Sequence, residues 1–172
     1  METIFTEKQR PRQLWIWAVV ILINLLTLYA IVQQVILKKP FGNNPGPDYM
    51  LFIIEVIPLL LLWLFLSLQL HTRIDKEGVH IKFPPLLRHE RTYSWNDIEK
   101  CYVRKYSPVK EFGGWGIRGA MSRGAGRAFN VSGKYGIQLE LKNGDKVLIG
   151  TQRQEEAEKI VEGFGKQSHG NG

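Results

Sequence analysis

The chain has 172 residues and a formal net charge of +7, which suits one globular domain with additional segments. Its single cysteine, Cys101, excludes an intramolecular disulfide and a cysteine-based metal cluster, and its four histidines show no metal-binding spacing. We therefore expect no metal and no cofactor. Because the basic excess accompanies long apolar segments, we expect a membrane and not a nucleic acid as the charged partner.

Two long apolar segments predict a membrane hairpin. After an N-terminal segment, residues 1–13, the first apolar run covers residues 14–37 and contains no charged residue; the second covers residues 49–70. Since about 20 apolar residues span the hydrocarbon core, both runs predict transmembrane helices. Residues 38–48 are rich in proline and glycine, which predicts a short extracytoplasmic loop and antiparallel helices.

Basic residues near the span ends predict the orientation of the hairpin. The flanks of the two spans are more basic than the loop, which holds only Lys38 and Lys39. By the positive-inside rule we expect a multi-pass protein of the cell (inner) membrane, integral to it, with both termini in the cytoplasm. The flanking basic residues are Lys8, Arg10, Arg12, Arg73, Lys76 and Lys82.

Glu55 is an ionisable residue inside the second span, where a charged side chain costs roughly 2.5–3.5 kcal/mol on insertion scales. Antiparallel packing predicts that it lies near the level of Gln33 and Gln34 in the first span. We favour a structural pairing of these intramembrane polar groups across the helices. The alternative is a subunit of an oligomeric transport or channel assembly that uses Glu55, because two helices alone enclose no pathway.

From residue 71 onward, short apolar runs alternate with turn signals, which predicts a mainly β domain of about seven strands. Gly78 marks the turn of a first hairpin. Asn143-Gly144 marks the turn of a later one, since this dipeptide favours the tight turns that join paired strands. Cys101 alternates with charged residues, which favours a half-buried strand thiol over a reactive one.

One amphipathic helix is predicted after Thr151, and Gly163 or Gly165 is expected to end it. The polar residues 166–172 beyond it are expected to be a disordered tail. The apolar stripe of this helix consists of Ala157, Ile160, Val161 and Phe164.

About seven strands followed by one helix resemble a pleckstrin-homology-like (PH-like) domain, a bent seven-stranded β-barrel capped by a C-terminal α-helix. The chain is similar to bacterial membrane proteins in which such a domain follows two transmembrane helices. The resemblance implies a PH-like domain at residues 71–165, a non-enzymatic role, and no established ligand residues. The matching stretches are DKEGVHIKF, YSWNDIEKCYV, GWGIR and GRAFNVSGKYGIQLELKNGDKVLIGTQ with the helix after it.

The glycine-rich residues 113–136 allow two interpretations. Glycine amides can form a concave anion site, to which three arginines add charge, and anionic phospholipid headgroups are then the natural ligand. The alternative, which we favour, is that the glycines let a sheet edge bend. The formal G-x-G-x-x-G motif at residues 114–119 is not expected to bind a dinucleotide, because later glycines oppose the helix that such a site requires. The arginines are Arg118, Arg123 and Arg127.

The sequence thus predicts a membrane α-helical hairpin plus a mainly β, PH-like domain. We expect a membrane-anchored interaction module on the cytoplasmic face that binds a protein partner, another copy of the chain, or anionic phospholipid. An enzyme is the least favoured class. The polar residues His89, Glu90 and Asp97 are close in sequence, but nothing indicates that they converge in a pocket, as acid–base catalysis requires.

Overall fold

The structure, a computed structural model, describes residues 3–119 and 126–168. Contacts within the chain divide it into two compact units. One unit, Gln13–Ser67, contains the two helices that are long and apolar enough to cross a membrane. The other combines Met1–Arg12 with Leu68–Gly172 and is mainly β.

The helical unit is an antiparallel hairpin. Helix α1, Leu14–Ile31, continues into a π-helical turn, Val32–Ile36, and α2 spans Asp48–Ser67. Both helices are apolar around most of their circumference, which is the pattern of a membrane span. The prediction of two long apolar helices is confirmed, and α2 ends at Ser67 because the chain turns into a strand at Leu70.

The β-rich unit contains two sheets and two helices. One sheet has the order β1-β2-β3-β4, and the other has the order β5-β8-β9-β7-β6. Neighbouring strands are antiparallel, except that β7 and β9 are parallel. The strands are β1 Thr3–Gln9, β2 Leu70–Asp75, β3 Gly78–Phe83, β4 Leu87–Ser94, β5 Ile98–Lys105, β6 Gly116–Gly119, β7 Arg127–Asn130, β8 Tyr135–Leu141 and β9 Lys146–Thr151; the helices are α3 Pro108–Phe112 and α4 Gln154–Ser168.

The described strands number nine and form two sheets with no hydrogen-bonded ladder between them, so no closed barrel is found among the described residues. Seven of the nine correspond to predicted strands, including both predicted hairpins. The additional strands are β1 and β6. Neither was predicted as a strand. Strand β1 lies just before a membrane span, and β6 lies within the glycine-rich stretch.

Strand β1 is part of the fold although the sequence presents it as a flank of the first span. It pairs with β2 from Thr3 opposite Asp75 to Gln9 opposite Leu70. Its alternate side chains are buried. Among these, Glu7 accepts hydrogen bonds from Thr151 Oγ1 at 2.7 Å and from the amide of Gln152 at 2.8 Å, which ties the N-terminal strand to the end of β9.

Helix α4 packs on the core formed by the two sheets, and its predicted apolar stripe makes the contact. Ala157 and Val161 are buried, and the ring of Phe164 stacks on Trp95 with centroids 4.6 Å apart. The helix continues past Gly163 and Gly165 to Ser168, so the prediction that one of these glycines ends it is wrong. Side-chain packing of the stripe stabilises the helix more than these glycines weaken it. Residues 169–172 of the predicted tail lie outside the described residues.

Cys101 provides a direct test of the packing around β5. The thiol lies against the core, and burial raises its pKa to about 12. Because the thiolate is the reactive form, alkylation by iodoacetamide at pH 8 is expected to be at least about 100-fold slower in the folded protein than in denaturant. Mass spectrometry of the single labelled site measures both rates, and similar rates in the two states would contradict the buried position.

Candidate functional site

The glycine-rich stretch contributes to a hollow of about 180 Å³ that opens between β4 and the β6–β7 hairpin. Arg91, Arg118 and Arg127 line it, and no aspartate or glutamate of the described residues does. We call this feature the arginine hollow. Its lining residues are Leu87, Arg91, Ile117, Arg118, Gly119, Arg127 and Phe129.

Pairing within the β6–β7 hairpin positions two of the three arginines. Arg118 lies opposite Ala128 in the hairpin, and Arg127 lies opposite Gly119. Ala128 and Phe129 are buried, which fixes β7 on the core while the neighbouring Arg127 stays exposed. The Arg118 side chain donates from Nε to the carbonyl of Trp115 at 3.1 Å, which directs it along β6.

The third arginine of the hollow, Arg91, comes from β4 and was not predicted as a site residue. The predicted Arg123 lies outside the described residues. Arg91 is far from the glycine-rich stretch in sequence, and only the placement of β4 beside β6 brings it to the same hollow. Three arginines that line one hollow favour phosphate or carboxylate groups as ligands, since each guanidinium group presents a planar set of donors.

The glycines of this stretch also serve the fold. Gly126 has a φ of +75°, and a Cβ atom there would lie 1.8 Å from the carbonyl oxygen of Lys146. Only glycine allows this approach of the backbone to β9. The formal dinucleotide motif ends in strand β6, because Gly116–Gly119 pairs with β7, so its third glycine is a strand residue. The structure is therefore consistent with both interpretations of the glycine-rich stretch, the bend of a sheet edge and the anion site.

A second polar cluster, which the sequence did not predict, lies on the β2–β3–β4 sheet. His80 Nε2 is 3.0 Å from Asp75 Oδ1, and His80 Nδ1 is 2.9 Å from Thr92 Oγ1. Arg73 bridges the two acids of the cluster, donating to Asp75 Oδ2 and to Glu90 Oε1 at 2.8 Å each. These residues are separated in sequence and meet through strand pairing.

Asp75 is the centre of this cluster and is only 2% exposed. Burial alone would raise its pKa, but hydrogen bonds from His80 and from the amides of Glu77 and Gly78 outweigh burial and leave the pKa below its usual value. Ligand atoms of Asp75, Glu77 and His80 lie within 4.8 Å of one another, as a metal site would require. The guanidinium of Arg73 disfavours a cation there, so we assign the cluster a structural role.

A third feature is a row of basic side chains across β1, β2 and β3. Lys8 pairs with His71, and His71 pairs with Lys82. Burial and then the charges of these two lysines lower the pKa of His71. In sequence, Lys8 lies shortly before α1 and His71 lies shortly after α2.

The predicted pairing of the intramembrane polar residues does not form. Gln34 Nε2 donates to the carbonyl of Gly46 at 2.8 Å and to Asp48 Oδ1 at 2.9 Å, and Gln33 Nε2 lies 3.5 Å from the carbonyl of Pro40. Both glutamines therefore contact the loop end of the hairpin. Glu55 is buried, and neither of its carboxyl oxygens has a hydrogen-bond partner among the described residues.

The register of the two helices explains why this pairing does not form. Asp48 begins α2 opposite Gln34, so Glu55, two turns further along α2, lies beyond the reach of either glutamine.

Comparison with known proteins gives no further indication of the role of these groups, since no family model, curated protein or solved structure matches this chain.

The low pKa of Asp75 predicts a pH-dependent contribution to stability. With the folded pKa below the unfolded value of about 3.9, the contribution is present above that value and is lost as the pH falls below it. Asp75→Asn is expected to lower the free energy of unfolding by about 1–3 kcal/mol at pH 7, and by less below about pH 4. Urea unfolding of the full chain in neutral detergent measures this difference.

Asp97→Asn is the matched control for this prediction, because Asp97 is exposed in a turn and its side chain lies outside the cluster. It should leave stability nearly unchanged at both pH values. A loss for Asp75→Asn that is the same at pH 7 and at pH 3 would contradict the ionised, hydrogen-bonded carboxylate.

Proposed function

We propose that this chain is a membrane-anchored, non-enzymatic interaction module whose β-rich domain binds anionic groups at the cytoplasmic face of the cell membrane. The observation that carries the proposal is the insertion of the hairpin between two paired strands. Gln9 at the end of β1 lies opposite Leu70 at the start of β2, and α1 and α2 lie between them in the chain. Two spans that leave and re-enter one sheet return to the same side of a bilayer.

The PH-like assignment of the domain is part of this proposal. It is supported by two mainly antiparallel sheets with a C-terminal helix packed on their common core. The two additional strands and the separate sheets depart from the PH-like pattern. The cytoplasmic orientation is supported by the basic flanks of the spans, which include Lys8 and Lys82 of the basic row.

Charge favours an anionic phospholipid headgroup as the ligand. Each lysine or arginine near an anionic leaflet contributes about 1 kcal/mol of attraction. The arginine hollow offers three such charges, with no acidic residue among the described residues that line it, and its apolar residues Leu87, Ile117 and Phe129 suit the adjoining glycerol and chain. Acidic side chains of a protein partner present the same chemistry and are the second source of the ligand.

Removal of the three arginine charges tests the anion site. The triple variant Arg91→Gln, Arg118→Gln and Arg127→Gln is expected to raise the Kd for glycerol 3-phosphate at least about tenfold, since each lost charge is worth about 1 kcal/mol. Added salt should weaken binding by the wild type and should have little effect on the variant. Isothermal titration of the full chain in neutral detergent measures both.

The control variant Lys110→Gln, Lys134→Gln and Lys142→Gln removes the same charge from exposed positions outside the hollow. It should keep wild-type affinity. If the wild type does not bind the phosphate, or if both triple variants bind equally, the arginine hollow is not the anion site.

A further inference from the structure

Three contacts fix the register of the membrane hairpin. The rings of Trp17 and Phe65 pack edge to face with centroids 6.3 Å apart, and Asn24 Nδ2 donates to the carbonyl of Pro58 at 3.3 Å. Near the loop, Gln34 donates to Asp48. From one of these contacts to the next, the residue number in the first helical segment rises by as many residues as the residue number in α2 falls. The residue of α1 at the level of Glu55 is therefore Thr27.

Polar groups, which include the backbone carbonyl of Pro58, concentrate at this level of the hairpin. Asn24 and Thr27 are one turn apart on α1, and Glu55 and Pro58 are one turn apart on α2. Glu55 and Pro58 are the buried residues of α2, and Pro58 accepts from Asn24, which places Glu55 on the face of α2 that packs against α1.

The oxygen atoms at this level lack donors. Glu55 is 7% exposed and Asn24 is 8% exposed, yet Glu55 Oε1, Glu55 Oε2 and Asn24 Oδ1 have no hydrogen-bond partner among the described residues. The Thr27 hydroxyl already donates to the backbone of its own helix, at 3.0 Å to Ile23 and 3.1 Å to Asn24, so it offers only its lone pairs. Burying such acceptors without a donor or a cation costs several kcal/mol in hydrocarbon.

No side chain of the two apolar runs can neutralise Glu55. Residues 14–37 contain no charged residue, and Glu55 is the only charged residue among residues 49–70. The remaining acid of α2, Asp48, is at the first residue of the helix and accepts a hydrogen bond from Gln34. One carboxylate is balanced by one positive charge, so a monovalent ion suits the site better than a divalent one.

We propose that Glu55 is the anionic centre of a Na⁺ site inside the hairpin. Asn24 Oδ1 and the Thr27 hydroxyl are its neutral oxygen ligands. Hard cations take several oxygen ligands at once, from carboxylates, amide carbonyls and hydroxyls. Na⁺ satisfies the three unpartnered oxygens together, whereas a single proton on Glu55 supplies one donor for them. The site is independent of the arginine hollow and of the function proposed for it.

Infrared difference spectroscopy tests the proposal on the full chain in lipid nanodiscs. Exchange of choline for Na⁺ is expected to change the infrared bands of the Glu55 carboxyl group, with half-conversion at a defined Na⁺ concentration. Carboxyl bands that are the same in choline and in Na⁺ would overturn the proposal.

Variants assign the signal to its residues. Glu55→Gln should abolish the difference signal, whereas Asp48→Asn, which removes the other acid of α2, should keep it. Asn24→Ala should raise the Na⁺ concentration for half-conversion roughly tenfold or more, which is the usual effect of losing a group that supports a metal site. If Glu55→Gln fails to fold, Glu55→Asp must shift the bands; bands that persist unshifted in Glu55→Asp would show that another carboxyl group gives the signal.

Discussion

Pairing of β1 with β2 is the contact on which the rest of the structure depends. It joins the residues before the hairpin to those after it, from Thr3 opposite Asp75 to Gln9 opposite Leu70. The same strand is held from its other side, because Gln9 Nε2 donates to the carbonyl of Gly150 at 2.6 Å and Glu7 accepts from Thr151. A buried carboxylate with two donors is costly to separate from them. The N-terminal strand is therefore fixed to both sheets, and the hairpin is attached to the domain at two points.

Local sequence predicts the parts of this fold that depend on local energetics. The turns at Gly78 and Asn143-Gly144, the two apolar helices and the apolar stripe of α4 follow from turn chemistry and periodicity over a few residues. Strand β1 is different, because the alternation of its buried and exposed side chains depends on pairing with β2, which is more than sixty residues away in sequence. The register of the hairpin also depends on the path of the loop, which sequence does not give, and the expected level of Glu55 was wrong for that reason.

The same distinction applies to the candidate sites. Arg118 and Arg127 stand out in the glycine-rich stretch, but Arg91 joins them only through the position of β4. His80 appears isolated in the sequence, whereas cross-strand pairing places it between Asp75 and Thr92. Charged side chains thus differ by location: exposed arginines line the hollow, and a single acid lies buried in the hairpin. The first arrangement suits anionic surfaces, and the second suits a small cation.

A disulfide across the hairpin tests the central claim most directly. Lys8 and His71 are paired on β1 and β2, and paired residues lie at the Cα separation that a disulfide requires. In a Cys101→Ser background, Lys8→Cys with His71→Cys should form an intramolecular disulfide on mild oxidation, seen as one linked pair of peptides after proteolysis. Lys8→Cys with Lys82→Cys, one strand further away, should not. Absence of the first disulfide, or equal yields for both pairs, would contradict the insertion of the hairpin between paired strands.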